Sequence, residues 1–515
     1  MYHSQQIMLA VIALLRLMIC CYGATELHTY PRILQERTTA GNLVLKLNEE
    51  ITLNLERSTV LADNLVFVTN SNGINEVETI QTSHIQETIY HDTHYQASVT
   101  VRQKDGNVEV EGIINDNLRI KPLPEGERSL QGQMLHKIYE VDVIKENFIS
   151  AGEQFSFFIQ HCFFLHLQLL IVQLQLLHFA VLPHEPRLLR LKKGNNRKES
   201  NGSRKGQKSP PKTEAPGSAV EKFAVELHII SDKEHQQSYK KNEELVSYLA
   251  VMANAVNLRY LDMDHPKINF LLVGITRARD HDFGKIDNGK IEGTEMLKNL
   301  QTYKDEGKIA GSYDVIYLMT GLDMYRLDKG KVETGASGYA LVGQTCRKQG
   351  VGEGEDTALT YSGVKTLAHE LAHSLGSPHD ETPECPWSEG YLMSYVDGGL
   401  KKYKLSRCSQ AKIREYVQKL PQDCIKVQSE KNYSSGQKKF PGQTIRKVYY
   451  CKKMLNQKAK GRKIIDKMNG SCKLKCCYRR ERSMTCWEFP MLDGMECAPG
   501  KTCKRGICGE HAGLS

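Results

Sequence analysis

With 515 residues, 40% of them hydrophobic, the chain has room for about three domains with buried cores, which excludes a single small module. Its formal net charge of +9 is unevenly distributed, and fifteen cysteines argue against a reducing cytosolic home. A basic chain of this kind could attract nucleic acid, but an exported one meets anionic polysaccharide or membrane surface instead.

In chain order, residues 1–23 read as a cleaved signal peptide. The stretch from Ile7 to Cys21 is apolar, Arg16 interrupts it, and small residues follow at positions suited to a signal peptidase. Residues 24–186 are then a pro-region. Within it, "FSFFIQHCFFLHLQLLIVQLQLLHFAVL" (Phe155 to Leu182) is uncharged and long enough to cross a bilayer. Because Gln and His recur through it, the preferred reading is a buried part of the pro-region or an error in the gene structure, with a membrane segment as the alternative. From Arg187 to Lys212, ten Lys or Arg stand against the single acid Glu199 without apolar periodicity. Residues 187–218 are read as a disordered basic linker, and "RLKK" (Arg190 to Lys193) and "RK" (Arg197, Lys198) are candidate maturation sites.

Beyond the linker, residues 219–425 have an α/β pattern. Phe223 to Ile230, Lys267 to Ile275 and Tyr313 to Thr320 are short runs rich in Val, Ile, Leu and Phe, as strands covered on both faces should be. Asn242 to Tyr260 carries Leu245, Leu249, Met252 and Val256 at helical spacing. Thr294 is a candidate cap for a helix bearing Met296, Leu297 and Leu300. Alternating strands and helices predict a mostly parallel sheet, and Gly338 to Gly343 would add an edge strand.

The chemistry is concentrated in "TLAHELAHSLGSPHD", Thr366 to Asp380. On a helix, His369 and His373 sit about 6 Å apart along the axis and about 40° apart in angle, so both imidazoles can reach one ion. If the helix continued, His379 would lie about 15 Å from His369, out of reach of the same metal. Gly376 can end the helix in a left-handed conformation and Pro378 cannot continue it, which turns His379 back. Three neutral nitrogen ligands leave zinc one open position, and Glu370, between the helical histidines, is placed to act as general base on a coordinated water. This histidine and glycine spacing with a following Met-turn is the metzincin signature, and Met393, fourteen residues after His379, supplies the methionine.

Four cysteines (Cys346, Cys385, Cys408, Cys424) precede a second basic region and eight (Cys451, Cys472, Cys476, Cys477, Cys486, Cys497, Cys503, Cys508) lie within it. Even counts on both sides predict two separately bridged domains. Lys426 to Glu510 has twenty-one bases against seven acids, so residues 426–515 form a small, basic, cysteine-rich domain.

These motifs resemble the reprolysin, or adamalysin-like, zinc metalloproteases, most closely those of tick saliva. "HELAHSLGSPHD" matches the extended motif, "GYALVGQTC" resembles the edge strand that pairs with extended substrate, and "CPWSEGYLMSYVDGG" resembles the Met-turn region. "LDGMECAPGKTCKRGIC" resembles the end of an ADAMTS-type cysteine-rich segment. The resemblance implies a metzincin catalytic domain between a pro-region and a disulfide-rich domain. It implies Zn²⁺ on His369, His373 and His379, Glu370 as base, and Met393 as the methionine of the Met-turn.

Three departures qualify the match. Tyr395 follows Met393 where astacins and serralysins place a zinc-reaching tyrosine, although a core tyrosine is the plainer reading. Cys162 sits in "IQHCFFL", unlike the family's inhibitory cysteine contexts, and the tail has no Arg-Gly-Asp. Asp380 either holds the turn by hydrogen bonding or is a surface carboxylate. The resulting expectation is a secreted zinc metalloendopeptidase made as a zymogen and acting on extracellular host proteins. It binds no nucleic acid and heparin-like polyanions are possible partners of the tail. The alternative is a binding protein that works through that tail.

Overall fold

The structure is a computed structural model that describes residues 26–141, 220–427 and 442–511, apart from short stretches within each. The signal segment, Phe155 to Leu182, Cys162 and the basic linker lie outside the described residues. The described residues all belong to one compact unit, and among them no helix is long and apolar enough to cross a membrane.

The central sheet has seven strands: β1 (Leu61–Ser71), β2 (Ile74–Gln81), β3 (Lys222–Ser231), β4 (Lys267–Ala278), β5 (Val315–Thr320), β6 (Gly338–Ala340) and β7 (Val351–Glu355). Their spatial order is β6-β7-β5-β3-β4-β1-β2. Every pairing from β7 to β1 is parallel, and the rim strands β6 and β2 are antiparallel. The expected core strands are therefore present, and β6 is the expected edge strand, shorter than the run to Gly343. The unexpected members are β1 and β2. They come from residues 24–186, the stretch expected to be a pro-region, and β1 pairs in parallel with β4 from Leu61 opposite Leu272 to Asn70 opposite Ala278.

Helix α1 (Asn242–Arg259) is free of Gly and Pro, has Glu243 and Glu244 in its first turn and Arg259 in its last, and so suits the helix dipole at both ends. Every residue from Leu245 to Val256 is buried, so this helix is covered all round. It packs on β4 and on α3 (Val364–Ser374), and also on an N-terminal strand, Ala97–Lys104. Helix α2 (Gly293–Asp305) corrects one expectation. Its N-cap is Glu292, whose carboxylate accepts from the Glu295 N–H at 2.6 Å, so Thr294 lies inside the first turn. The cap sits two residues earlier because Lys290–Glu292 runs as a strand directly into the helix.

Strands between residues 27 and 140 other than β1 and β2 form a nine-stranded antiparallel sheet with its own core around Leu45, Leu53, Leu55 and Val99. The tail builds a small core from half-cystines and Tyr450, Leu474, Met491 and Leu492. Its bridges are Cys451–Cys476, Cys472–Cys503, Cys477–Cys486 and Cys497–Cys508. Residues 219–425 carry Cys346–Cys424 and Cys385–Cys408, so the two groups of cysteines bridge separately. Loop-closure entropy alone assigns the bridges 78 and 23 residues apart about 3 to 5 kcal/mol each.

Candidate metal centre

The site is built on α3, which is held at both ends. At the start, the Asp356 carboxylate accepts the Gly363 N–H at 2.7 Å, and along the helix the Tyr260 hydroxyl donates to the Ala368 carbonyl at 2.7 Å. Leu367, Ala368 and Leu371 pack into the main core, so the helix cannot slide without disturbing it.

At its end Gly376 has φ +97°, and the N–H groups of Gly376 and Ser377 bond the carbonyls of His373 at 2.8 Å and Ala372 at 2.9 Å. This is a Schellman stop. A Cβ on Gly376 would meet the Tyr416 Cβ at 2.7 Å, so glycine is demanded by packing as well as by backbone. The loop after β6 completes the lock: the N–H groups of Gly343, Gln344 and Thr345 donate to the last helical carbonyls, His373 and Ser374, at 2.9 to 3.0 Å.

The stop brings His379 back onto the helix. Its Nε2 lies 3.0 Å from the Nε2 of His369 and 3.2 Å from that of His373. Each ring is fixed through its other nitrogen: His369 Nδ1 bonds the Leu392 carbonyl at 2.8 Å, His373 Nδ1 the Ser377 carbonyl at 2.7 Å, and His379 Nδ1 the Tyr395 hydroxyl at 2.7 Å. Two carbonyls can only accept, so His369 and His373 must carry their protons on Nδ1 and turn bare Nε2 lone pairs inward. Bare lone pairs facing one another repel unless a cation sits among them. Zn–N bonds of about 2.1 Å at tetrahedral angles separate ligand nitrogens by about 3.4 Å, close to what the rings show. Burial, then the neighbouring His373 and His379, hold His369 well below its usual pKa; burial and then His379 bring His373 down to about 4. Both are thus neutral, as ligands must be.

Glu370 is buried on the same helix. A Cβ on Gly338 of β6 would lie 2.9 Å from the Glu370 Cγ and 2.5 Å from the Thr366 Cγ2, so a bare glycine lets the edge strand close against the acid's stem. Beside it, Glu353 of β7 is fully buried, and burial followed by the Glu370 charge pushes its carboxyl well above the usual range. Nothing in the sequence pattern distinguished Glu353 from an exposed strand acid.

The remaining expected residues form the floor and the outer ring. Met393 is fully buried in the main core, and its carbonyl accepts the Asp380 N–H at 2.9 Å. Asp380 is buried, which corrects the surface reading. Its Oδ1 accepts from Ser406 at 2.6 Å and Ser409 at 3.0 Å, tying the third-histidine turn to the start of helix α4 (Arg407–Val417). Tyr395 is only partly buried and is no core residue. Its hydroxyl bonds the outer nitrogen of His379 and donates to Glu381, so it orients the ring from behind. Sequence reasoning missed Ser406, Ser409 and Glu381. Ser406 had a signal, since it is the N-cap of α4, whereas Glu381 had none.

Three imidazoles on a helix and its terminating turn, with a carboxylate on that helix, are the arrangement of a metzincin-type zinc hydrolase. Residues 222–428 match the family described as Reprolysin (M12B) family zinc metalloprotease. The chain is similar to the venom metalloproteinase antarease of Tityus serrulatus, 24% identical over 68% of this chain and 82% of that one. It is 30% identical to an antarease-like venom metalloproteinase of Tityus fasciolatus, over 39% of this chain and 96% of that one. A Bombyx mori protein described as a disintegrin and metalloproteinase with thrombospondin motifs like is 24% identical over 52% of this chain, which spans 41% of that relative's length. The chain belongs to the reprolysin (M12B) family of zinc metalloproteases, whose members are zinc endopeptidases. These scorpion and insect relatives leave the narrower likeness to tick proteins as an expectation.

Proposed function

We propose that the chain is a secreted metalloendopeptidase that cleaves extracellular proteins, with zinc held by His369, His373 and His379 and Glu370 as its base. The observation that carries this reading is the convergence of three Nε2 atoms whose outer nitrogens are all engaged. Zinc supplies Lewis acidity toward the scissile carbonyl and the attacking water. The chain supplies the rest. Glu370 takes a proton from the water as it attacks and returns it to the departing amide nitrogen. Strand β6 ends the sheet with an unpaired backbone edge among the described residues, and an extended substrate can add there as a further strand. Leu341 and Val342, exposed just beyond it, offer apolar contact to substrate side chains. The expected result is cleavage of a peptide library by the mature form, abolished by a zinc chelator and restored by zinc. Cleavage that survives complete metal removal would overturn the reading.

The extracellular setting is supported by the six disulfides and by relatives named as venom proteins. A second role for the tail rests on a separate observation. Lys467 and Lys475 pair directly across two strands, and both are exposed, with Lys473 exposed on the same face. Like charges opposite one another destabilise a sheet unless an anion lies between them. Heparin should therefore retain the mature protein to higher salt than a version ending at Ile425. Equal elution of the two would remove the tail from any polyanion binding.

A further inference from the structure

The pro-region does not sit on this fold as a separable cover. Strand β1 pairs in parallel with β4, and Val60, Leu61, Leu65 and Phe67 are wholly buried in one core with Leu227, Ile229, Phe270 and Ile275 of the catalytic part. This graft lies on the rim of the sheet opposite β6.

A second attachment is polar and buried. Ser98 of the pro-region donates to the Val251 carbonyl in the middle of α1 at 2.8 Å, and Asn254 of that helix donates to the Ser98 hydroxyl at 2.9 Å and the Tyr90 carbonyl at 3.2 Å. A third grips the loop that leads into α3. Leu359 and Tyr361 have φ of 68° and 56°, a left-handed conformation that costs non-glycine residues about 1 kcal/mol or more. The buried Arg119 of the pro-region donates to the Thr360 carbonyl at 2.7 Å and the Tyr361 carbonyl at 3.2 Å, holding those residues where they are. A fourth reaches the tail, where Thr93 bonds Asp493 and Leu34 packs against the half-cystine core.

We infer that the pro-region is a retained subunit: once the chain is cut between residues 187 and 218, the pro-region stays bound through strand β1, helix α1 and the loop before α3. Maturation then severs the chain without removing the piece. The inference rests on reading the basic stretch as the maturation site, but its physical content, the strength of a noncovalent interface, is independent of whether the protein cleaves peptides.

The test uses the full secreted chain with a single recognition site for a sequence-specific protease placed between residues 193 and 198, in the Glu370→Gln background so that self-digestion plays no part. After cutting, confirmed on a reducing denaturing gel, the sample is run on native size exclusion at about 0.15 M and about 1 M salt, conditions between which screening of surface charge changes strongly. Both fragments are expected at the position of the uncut protein in both runs, since sheet pairing and apolar burial do not weaken with salt, and to separate only in denaturant. A pro-region fragment that elutes on its own in either run overturns the inference.

Discussion

Glu370→Gln is expected to keep zinc at one per chain while peptidase activity falls by at least about 10²- to 10⁴-fold. The amide has nearly the shape of the acid, so the close approach of Gly338 to the side-chain stem survives, and the histidines keep their partners on Leu392, Ser377 and Tyr395. What is lost is the proton acceptor. Metal analysis beside turnover on a cleaved peptide separates the two effects, and near-normal turnover with zinc bound would remove Glu370 from the base role.

The opposite separation is expected for His379→Ala, where the metal itself goes. Outer partners of metal ligands are typically worth 10- to 100-fold in affinity, so removing a ligand should weaken zinc binding by more than about 100-fold and abolish activity with it. The fold should persist, because the turn that presents His379 is fixed by Asp380 on Ser406 and Ser409 and by the Schellman bonds, none of which involves the imidazole. Zinc competition titrations, with circular dichroism to confirm folding, check this. Unchanged zinc affinity would take His379 out of the ligand set.

The helix, its stop and the return of the third histidine were legible because each depends on residues within a dozen positions of one another. Helical geometry converts that spacing directly into distance. The behaviour of Asp380 and Tyr395 was not legible to the same degree. Asp380 is held by Ser406 and Ser409 at the start of α4, and Tyr395 meets His379 where the Met393 carbonyl accepts the Asp380 N–H; both facts belong to tertiary packing. The least legible feature was strand β1. No strand is singled out there from the sequence, and parallel pairing of residues 61–71 with β4, some two hundred residues later, leaves no trace in local periodicity. Thr294 failed for a smaller reason: a good capping residue was present, but the strand before it delivered the chain to the helix two residues early.

The Cys346–Cys424 bridge joins the loop behind the edge strand to the end of the catalytic region, so the histidines, Glu370, Met393 and Tyr395 all lie inside one covalent ring, within which Cys385–Cys408 closes a smaller one. For a peptidase, this bears on self-digestion. A single nick anywhere between residues 347 and 423 opens the ring without detaching either end. The two pieces stay joined by that bridge, and by Cys385–Cys408 as well where the nick falls between residues 385 and 408.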